Sequence, residues 1–538
     1  MRSCCGIVVL ALYALGCART NDTLSGEPRA KGSIRFNLAA DPANLNPLFA
    51  HQDAASVEQQ LARLAFEPFI DIDQYGRRTP ALLAVIPSRE NGGLSRDGRT
   101  LTYHLRRGVR WQDGRPVTAA DVIFTLHAIL DKRNPVRSHA GYDLVDKASS
   151  PSPLIVVLHL RRAWAPAVQS FFSTGLAPQF VLPKHILERQ LPLASAPFNA
   201  APVGNGPFRL LQWRRGERLV YQAATSYWRG NAASARLDIR IVGDPSTNLT
   251  LLRSGDVDFN LIAPAQQKIL GGDRRIAYRY VPTATIAGIA INLRHPPLDD
   301  IRVRRAIAMS IDRKAISDKI TLGRYPVADS AQPQFSWAYD ASAKEPSFAP
   351  AEADKLLDDA GWRRAPKGIR TRNGRPLSLT YVQFPESQTG VRAATMIQSE
   401  LQARGIDVSI KSVANAQLFM PAAQGGTLAS GSFDLAYVPW PMGSDPDDSL
   451  LLACGGASNY MRYCNAQVQR LEEIALSATS QSVRKVTYSK IAHIVAQDVP
   501  LIYLFNAHYI YAYRPQLRGF YPNAFTPTWN AYTWAIRI

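Results

Sequence analysis

The chain of 538 residues is 46% apolar and 20% charged, the balance of an ordinary soluble globular protein with ample core. At roughly 150 residues per domain it holds two to four domains, and no apolar run reaches the ~18 residues of a membrane-spanning helix. Its net charge of +19 comes from 62 basic and 43 acidic residues. The basic residues stand singly or in pairs such as Arg161-Arg162, Arg214-Arg215 and Arg304-Arg305, not gathered with aromatics. That pattern excludes a nucleic-acid partner and suits a basic surface facing anionic lipid and cell-wall polymers.

The chain opens with Arg2 and an apolar stretch over 6–16, the shape of an export signal. Its end, Ala14-Leu15-Gly16-Cys17, resembles a bacterial lipobox, with Ala14 where leucine is usual and Leu15 where a small residue is usual. Lipidation would make Cys17 the mature N-terminus; plain cleavage is the alternative, and both send the chain to the periplasm or cell envelope. Residues 18–31 are small and polar and read as a tether. Of the five cysteines, Cys4 and Cys5 fall in the signal, and Cys454 and Cys464 are most simply a disulfide closing a small loop of an exported protein.

The folded body begins with an alternating strand over 33–37 and a loop, Asp41 to Pro47. A turn at Asp97-Gly98 leads into a strand over 101–105. Asp113-Gly114 ends a short strand around Val109 and Trp111, and Thr118 with Asp121 forms a capping box for a helix burying Val122, Leu126, Ile129 and Leu130. Proline density over 133–203 predicts loops and short helices in place of regular sheet. Gly204-Asn205-Gly206 is followed by Pro207 and a strand, so it reads as a tight turn and not a dinucleotide loop. A strand over 219–223 and a helix over 246–252 capped by Ser246 come next.

From residue 286 a second lobe begins. It opens with a buried strand over 286–292, a helix capped by Asp300 with Val303, Ile307 and Ile311 inward, and another helix capped by Asp312. A helix over 351–360 ends at Gly361. A strand over 377–384, a helix over 391–403 and a strand over 406–410 give a β–α–β order, hence a parallel sheet. A strand and Pro/Gly/Asp loop over 433–448 and helices capped at Asn465 and Ser482 follow. The tail, 509–538, is rich in aromatics and proline.

Enzyme signatures are missing. None of the nine histidines lies three to five residues from another, so no helix carries a metal-binding pair, and there is no G-x-S-x-G, Walker or C-x-x-C motif. Acidic pairs at Asp299-Asp300 and Asp447-Asp448 read as caps or solvated turns. No catalytic residue, cofactor or metal is expected.

The string GVRWQDGRPVTAADV over 108–122 resembles the pattern G-V-x-[FW]-x-D-G-x-P-[VL]-T-A-x-D-V. This pattern belongs to the extracytoplasmic solute-binding proteins of ABC importers, family 5, typified by oligopeptide- and dipeptide-binding proteins, and the string matches it at every specified position. Five other segments resemble the family: 41–47, with Asn46 for aspartate; 203–208, with Asn205 for threonine; 254–258; 297–306; and 433–448. The resemblance implies an α/β, two-lobed periplasmic-binding-protein fold, class II-like, with an extra N-terminal subdomain at about 60–190 and a cleft between the lobes. Lobe 1 would span 32–285, lobe 2 286–507, and 508–538 would return to lobe 1.

The resemblance also implies the site. In peptide-binding relatives a tryptophan flanks the ligand, and an aspartate three residues later holds the peptide's α-amino group. Trp440 matches the tryptophan, as a ligand wall or as plain core. Gly443 stands at the aspartate's position, and the loop is one residue shorter. Asp445 either brings a carboxylate to a similar place or only caps the next helix. Asn205 and Phe384 are further candidate ligand contacts. The function implied is a monomeric receptor that binds a small solute, most readily a peptide, and delivers it to an ABC permease and ATPase, held to the membrane by a lipid anchor. Alternatives are a non-peptide solute such as a metal chelate, haem, glutathione, sugar or opine; a secreted hydrolase; and a scaffold turned sensor or chaperone partner.

Overall fold

A computed structural model describes residues 32–537 apart from 51–55, 137–138, 140, 174–178 and 365–367. The export signal, the tether and Cys17 lie outside the described residues. The first strand, β1 (Ser33–Leu38), buries Ile34, Phe36 and Leu38. A hairpin of β2 (Ile70–Ile72) and β3 (Arg78–Pro80) follows, then a separate antiparallel sheet of β4 (Thr100–His104), β5 (Val145–Ser152) and β6 (Ile155–Leu160). Next come β7 (Phe208–Arg214), β8 (Arg218–Ala223), β9 (Arg236–Ile241), β10 (Phe259–Ile262) and the long β11 (Ala277–Ile291). A small sheet of β12 (Arg363–Arg364), β13 (Arg370–Arg372) and β14 (Arg375–Pro376) precedes β15 (Ser378–Gln383), β16 (Asp407–Ser412), β17 (Leu435–Pro441) and β18 (Leu501–Tyr513).

Ten of these strands form one mixed sheet in the order β16-β15-β17-β11-β18-β10-β1-β9-β8-β7. The expected parallel pairing holds for β15 with β16 and with β17, joined through helix Gln388–Ala403. The sheet is mixed, however, because β11 runs antiparallel to both β17 and β18. Gly288 in the middle of β11 has a packing reason: a Cβ there would lie 2.6 Å from the Ile502 carbonyl oxygen and 3.2 Å from the Trp440 indole.

The sheet serves a large core in each lobe and a smaller cluster in lobe 1 around Leu252, Val257 and Ile510. In lobe 1, Phe36 stacks on Phe259 at 4.8 Å, and Trp534 from the tail packs edge-on to both. Lobe 2 packs Ile289, Ile307, Tyr381 and Ile397 around the other half. The long strands β11 and β18 contribute side chains to both cores. Their register slips between Pro282 opposite His508 and Ile286 opposite Asn506, so three residues of β11 face one of β18. The Thr283 hydroxyl donates to the Ala507 carbonyl at 2.8 Å and accepts the Thr285 N–H at 3.1 Å, satisfying polar groups that the ladder leaves free there. Residues 285 and 507 both sit at this slip.

Within lobe 1 the 108–122 motif is a turn and cap. Gly108 and Gly114 have φ of +78° and +92°, a region in which glycine carries no steric penalty. Asp121 accepts the Thr118 N–H at 2.8 Å and, through its other oxygen, the Lys184 N–H at 2.9 Å, fastening helix Ala119–Leu130 to a distant segment.

Three expectations need correction. Residues 133–203 do contain regular sheet, β5 and β6, with Pro151 near the end of β5 and Pro153 in the connection. Helix Pro245–Ser254 is capped by Asp244, not Ser246, because Pro245 takes the first helical position. Helix Gln481–Asp498 is capped by Ser480, not Ser482. No helix among the described residues is long and apolar enough to cross a membrane.

Candidate functional site

A cavity of about 850 Å³ lies between the lobes. Lobe 1 contributes Arg78 from β3, the loop around Arg89 and Glu90, and Gln169 from helix Ala167–Ser170. Lobe 2 contributes Trp337, Asp445 from the loop after β17, and the turn between helices Ala466–Ser477 and Gln481–Asp498, with Arg484. The two walls touch directly. Gln169 Nε2 donates to the Ser444 carbonyl, the Ala165 N–H donates to the Leu476 carbonyl at 2.6 Å, and Arg89 reaches the Thr479 hydroxyl at 3.4 Å.

Asp445 is the one residue of the expected site in the lining of this cavity, and its carboxylate is already engaged. Arg484 grips it with two parallel hydrogen bonds, Nη1 to Oδ2 at 2.8 Å and Nη2 to Oδ1, with both side chains 7% exposed. Arg484 also donates from Nε to the Ala475 carbonyl at 2.9 Å and from Nη2 to the Tyr488 hydroxyl at 3.1 Å, and its guanidinium lies 5.4 Å from the Trp337 ring centre. Burial works against its charge, but the Asp445 carboxylate beside it raises its pKa further above the ordinary arginine value. In this geometry Asp445 is the partner of a buried arginine.

Beside this pair the loop holds buried acids: of the cap or solvated turn expected from sequence, Asp448 takes the N-cap position of helix Ser449–Leu452, and it is buried. It is 3% exposed and accepts a hydrogen bond from Gln332 at 3.0 Å. Glu472, 1% exposed, is its neighbour in charge: burial and then the Asp448 carboxylate push its pKa well up. Burial likewise raises that of Asp448. Two carboxyls buried side by side resist ionising together.

The other expected residues are placed as follows. Gly443 lies half-buried in the same loop as Asp445. Trp440 is 3% exposed, donates its indole N–H to the Ser458 carbonyl at 3.4 Å and belongs to the lobe 2 core. Phe384 packs in the same core against Tyr437 and Phe419 at ring distances of 6.0 and 6.2 Å. Asn205 is buried in lobe 1, where its side-chain oxygen accepts the Glu67 N–H at 2.9 Å. The glycines beside it are explained by close approach: at Gly204 a Cβ would lie 1.8 Å from the Ala65 carbonyl oxygen and at Gly206 2.9 Å. Cys454 and Cys464 form a disulfide with Cα atoms 4.6 Å apart, as expected.

Sequence reasoning missed a second cavity, of about 580 Å³, in lobe 1. Asn37, Asn248 and Asn260 meet there: Asn37 Nδ2 donates to Asn248 Oδ1 at 2.7 Å, and Asn260 Nδ2 to the Asn248 carbonyl at 2.8 Å. It opens past the carboxyl ends of the parallel strands β1 and β10, the edge at which open α/β sheets hold ligands. That rule was the available signal. Among the described residues no three His, Cys, Asp or Glu side chains come together as a metal site.

Comparison with known proteins gives one consistent relationship. The model of the bacterial extracellular solute-binding proteins, family 5 Middle, matches residues 89–461. Protein XP55 of Streptomyces lividans is 27% identical, with 95% of this chain and 90% of that protein covered. The oligopeptide-binding protein AppA of Bacillus subtilis is 23% identical, with 96% and 94% covered. Its structure with a nonapeptide superposes with a TM-score of 0.76 at 21% identity over 94% of this chain and 99% of that one. NikA of Brucella suis, solved with Fe(III)-EDTA, gives a TM-score of 0.81 at 21% identity over 94% and 100%.

Proposed function

The chain belongs to the bacterial extracellular solute-binding proteins of family 5, and on that premise we propose that it is the extracytoplasmic receptor of an ABC importer, taking up peptides. Members of this family are binding proteins and not enzymes. The observation that carries the reading is the cavity walled by both lobes, whose volume of about 850 Å³ falls within the roughly 300–1,000 Å³ of small-ligand sites. A peptide fits such a cleft through its main chain, with side chains in hydrated pockets, so one site accepts many sequences. The alternative cargo is a metal chelate, since a protein of this fold was solved holding one.

The mechanism is a shift of population. Two lobes joined by β11 and β18 exchange between open and closed arrangements, and a ligand touching both walls favours the closed one. The closed arrangement docks on the permease, and the ligand is released unchanged. The mature protein is monomeric and held to the membrane by a lipid on Cys17.

Native mass spectrometry of the protein purified from periplasmic extract tests this directly. A ladder of bound peptides is expected. A single metal-containing or sugar ligand would overturn the peptide assignment, and small-angle scattering without compaction on ligand addition would overturn the closure step.

A further inference from the structure

We infer that Arg78 is the charge-recognising residue of the inter-lobe cavity and that the ligand delivers a carboxylate to it. This rests on the reading of the cavity as a peptide site and specifies what that peptide presents. Arg77 and Arg78 are adjacent, yet only Arg77 has an acidic partner, Asp73 at 2.7 Å. Arg78, itself exposed, has no carboxylate within 4.0 Å among the described residues, although the charge of Asp445 acts on it; Nη1 donates to Gln169 Oε1 at 3.3 Å.

The remaining charges on the wall cancel. Asp445 and Arg484 neutralise one another in their bidentate pair. Arg89 and Glu90 offset each other on the exposed rim. The surplus is one guanidinium, whose Nε and Nη2 remain for a planar two-oxygen acceptor. Around Arg78 an ammonium finds no free carboxylate, because Gly443 carries none and that of Asp445 is taken, the Glu90 carboxylate standing apart on the exposed rim. Gln169 gives the contact a second effect. Its Nε2 holds the Ser444 carbonyl of lobe 2 while its Oε1 holds Arg78, so a ligand that fixes Arg78 also braces the bridge between the lobes.

The test is calorimetric titration of the full mature chain with trialanine, trialanine amide, and the amidated tripeptides Ala-Glu-Ala and Ala-Gln-Ala. The wild-type protein is expected to bind trialanine about tenfold or more tighter than its amide if the α-carboxylate is read. If a side-chain carboxylate is read, the same preference falls on the Ala-Glu-Ala amide over the Ala-Gln-Ala amide. Arg78→Gln should abolish the preference, and Arg78→Lys should keep part of it. A wild-type protein that binds acids and amides equally, or a preference that survives in Arg78→Gln, overturns the inference and leaves the peptide reading standing. Failure of every peptide to bind overturns that reading and the inference with it.

Discussion

Replacing Asp445 by alanine separates the role seen here from a role as ligand anchor. The carboxylate is 7% exposed and takes two hydrogen bonds from an arginine equally buried, so solvent screening discounts little of the interaction. Removing one member of a buried pair leaves the other charge uncompensated, which costs about 3–5 kcal/mol. Arg484 would keep the Ala475 carbonyl and the Tyr488 hydroxyl, placing the expected loss at the lower end, about 3 kcal/mol, or roughly a hundredfold in the unfolding equilibrium. Urea unfolding followed by tryptophan fluorescence reads this as a lower midpoint at unchanged slope. The double variant Asp445→Leu with Arg484→Met removes both charges and should recover most of the loss. A single variant as stable as the parent to within about 1 kcal/mol, with ligand affinity abolished, would refute the argument, because that is the pattern of a ligand anchor.

Three further outcomes are expected. Joint replacement of Cys454 and Cys464 by alanine releases a loop with a sequence separation of 10 and should destabilise the chain by roughly 2.5–3 kcal/mol of loop entropy, read from the same urea midpoints. Asp448 and Glu472 have raised carboxyl pKa values in the folded state, so their contribution to stability is full below the usual carboxyl range near ~4 and is lost as pH rises through the raised values. The difference in stability between the parent and Glu472→Gln, measured between acid and neutral pH, should narrow on acidification and widen in favour of the variant at neutral pH; a flat difference would show that the pair is not protonated. Gly288→Ala should push β11 off β18 or displace the Trp440 indole, lowering stability by about 1–3 kcal/mol and altering tryptophan emission.

The fold was largely legible because its signals are local. Thr118 with Asp121, Asp300 and Asp312 were read as caps from their neighbours alone, and each caps its helix. Where two competent caps stand two residues apart, as Asp244 and Ser246 do, only the proline between them decides, and that weight was missed. The hairpin of β5 and β6 was obscured because its prolines fall around the connection of the two strands, not within their paired core. The site was much less legible because its chemistry is made by partners far apart in sequence. Asp445 meets Arg484 across 39 positions, and Arg78 meets Gln169 across 91. Neither separation leaves a spacing or a motif to find. The aromatics that stood out, Trp440 and Phe384, lie in the lobe 2 core.

The slipped register where β11 and β18 pass from one core to the other has a mechanical consequence. No loose tether separates the halves; the junction is a paired ribbon, stiff along its length and pliant where its register shifts, between Pro282 and Ile286 and again between Ala287 and Gly288. Rocking about that short stretch has an axis of swing rather than a free tumble. A guest in the cleft then meets the same two jaws in the same orientation on every cycle.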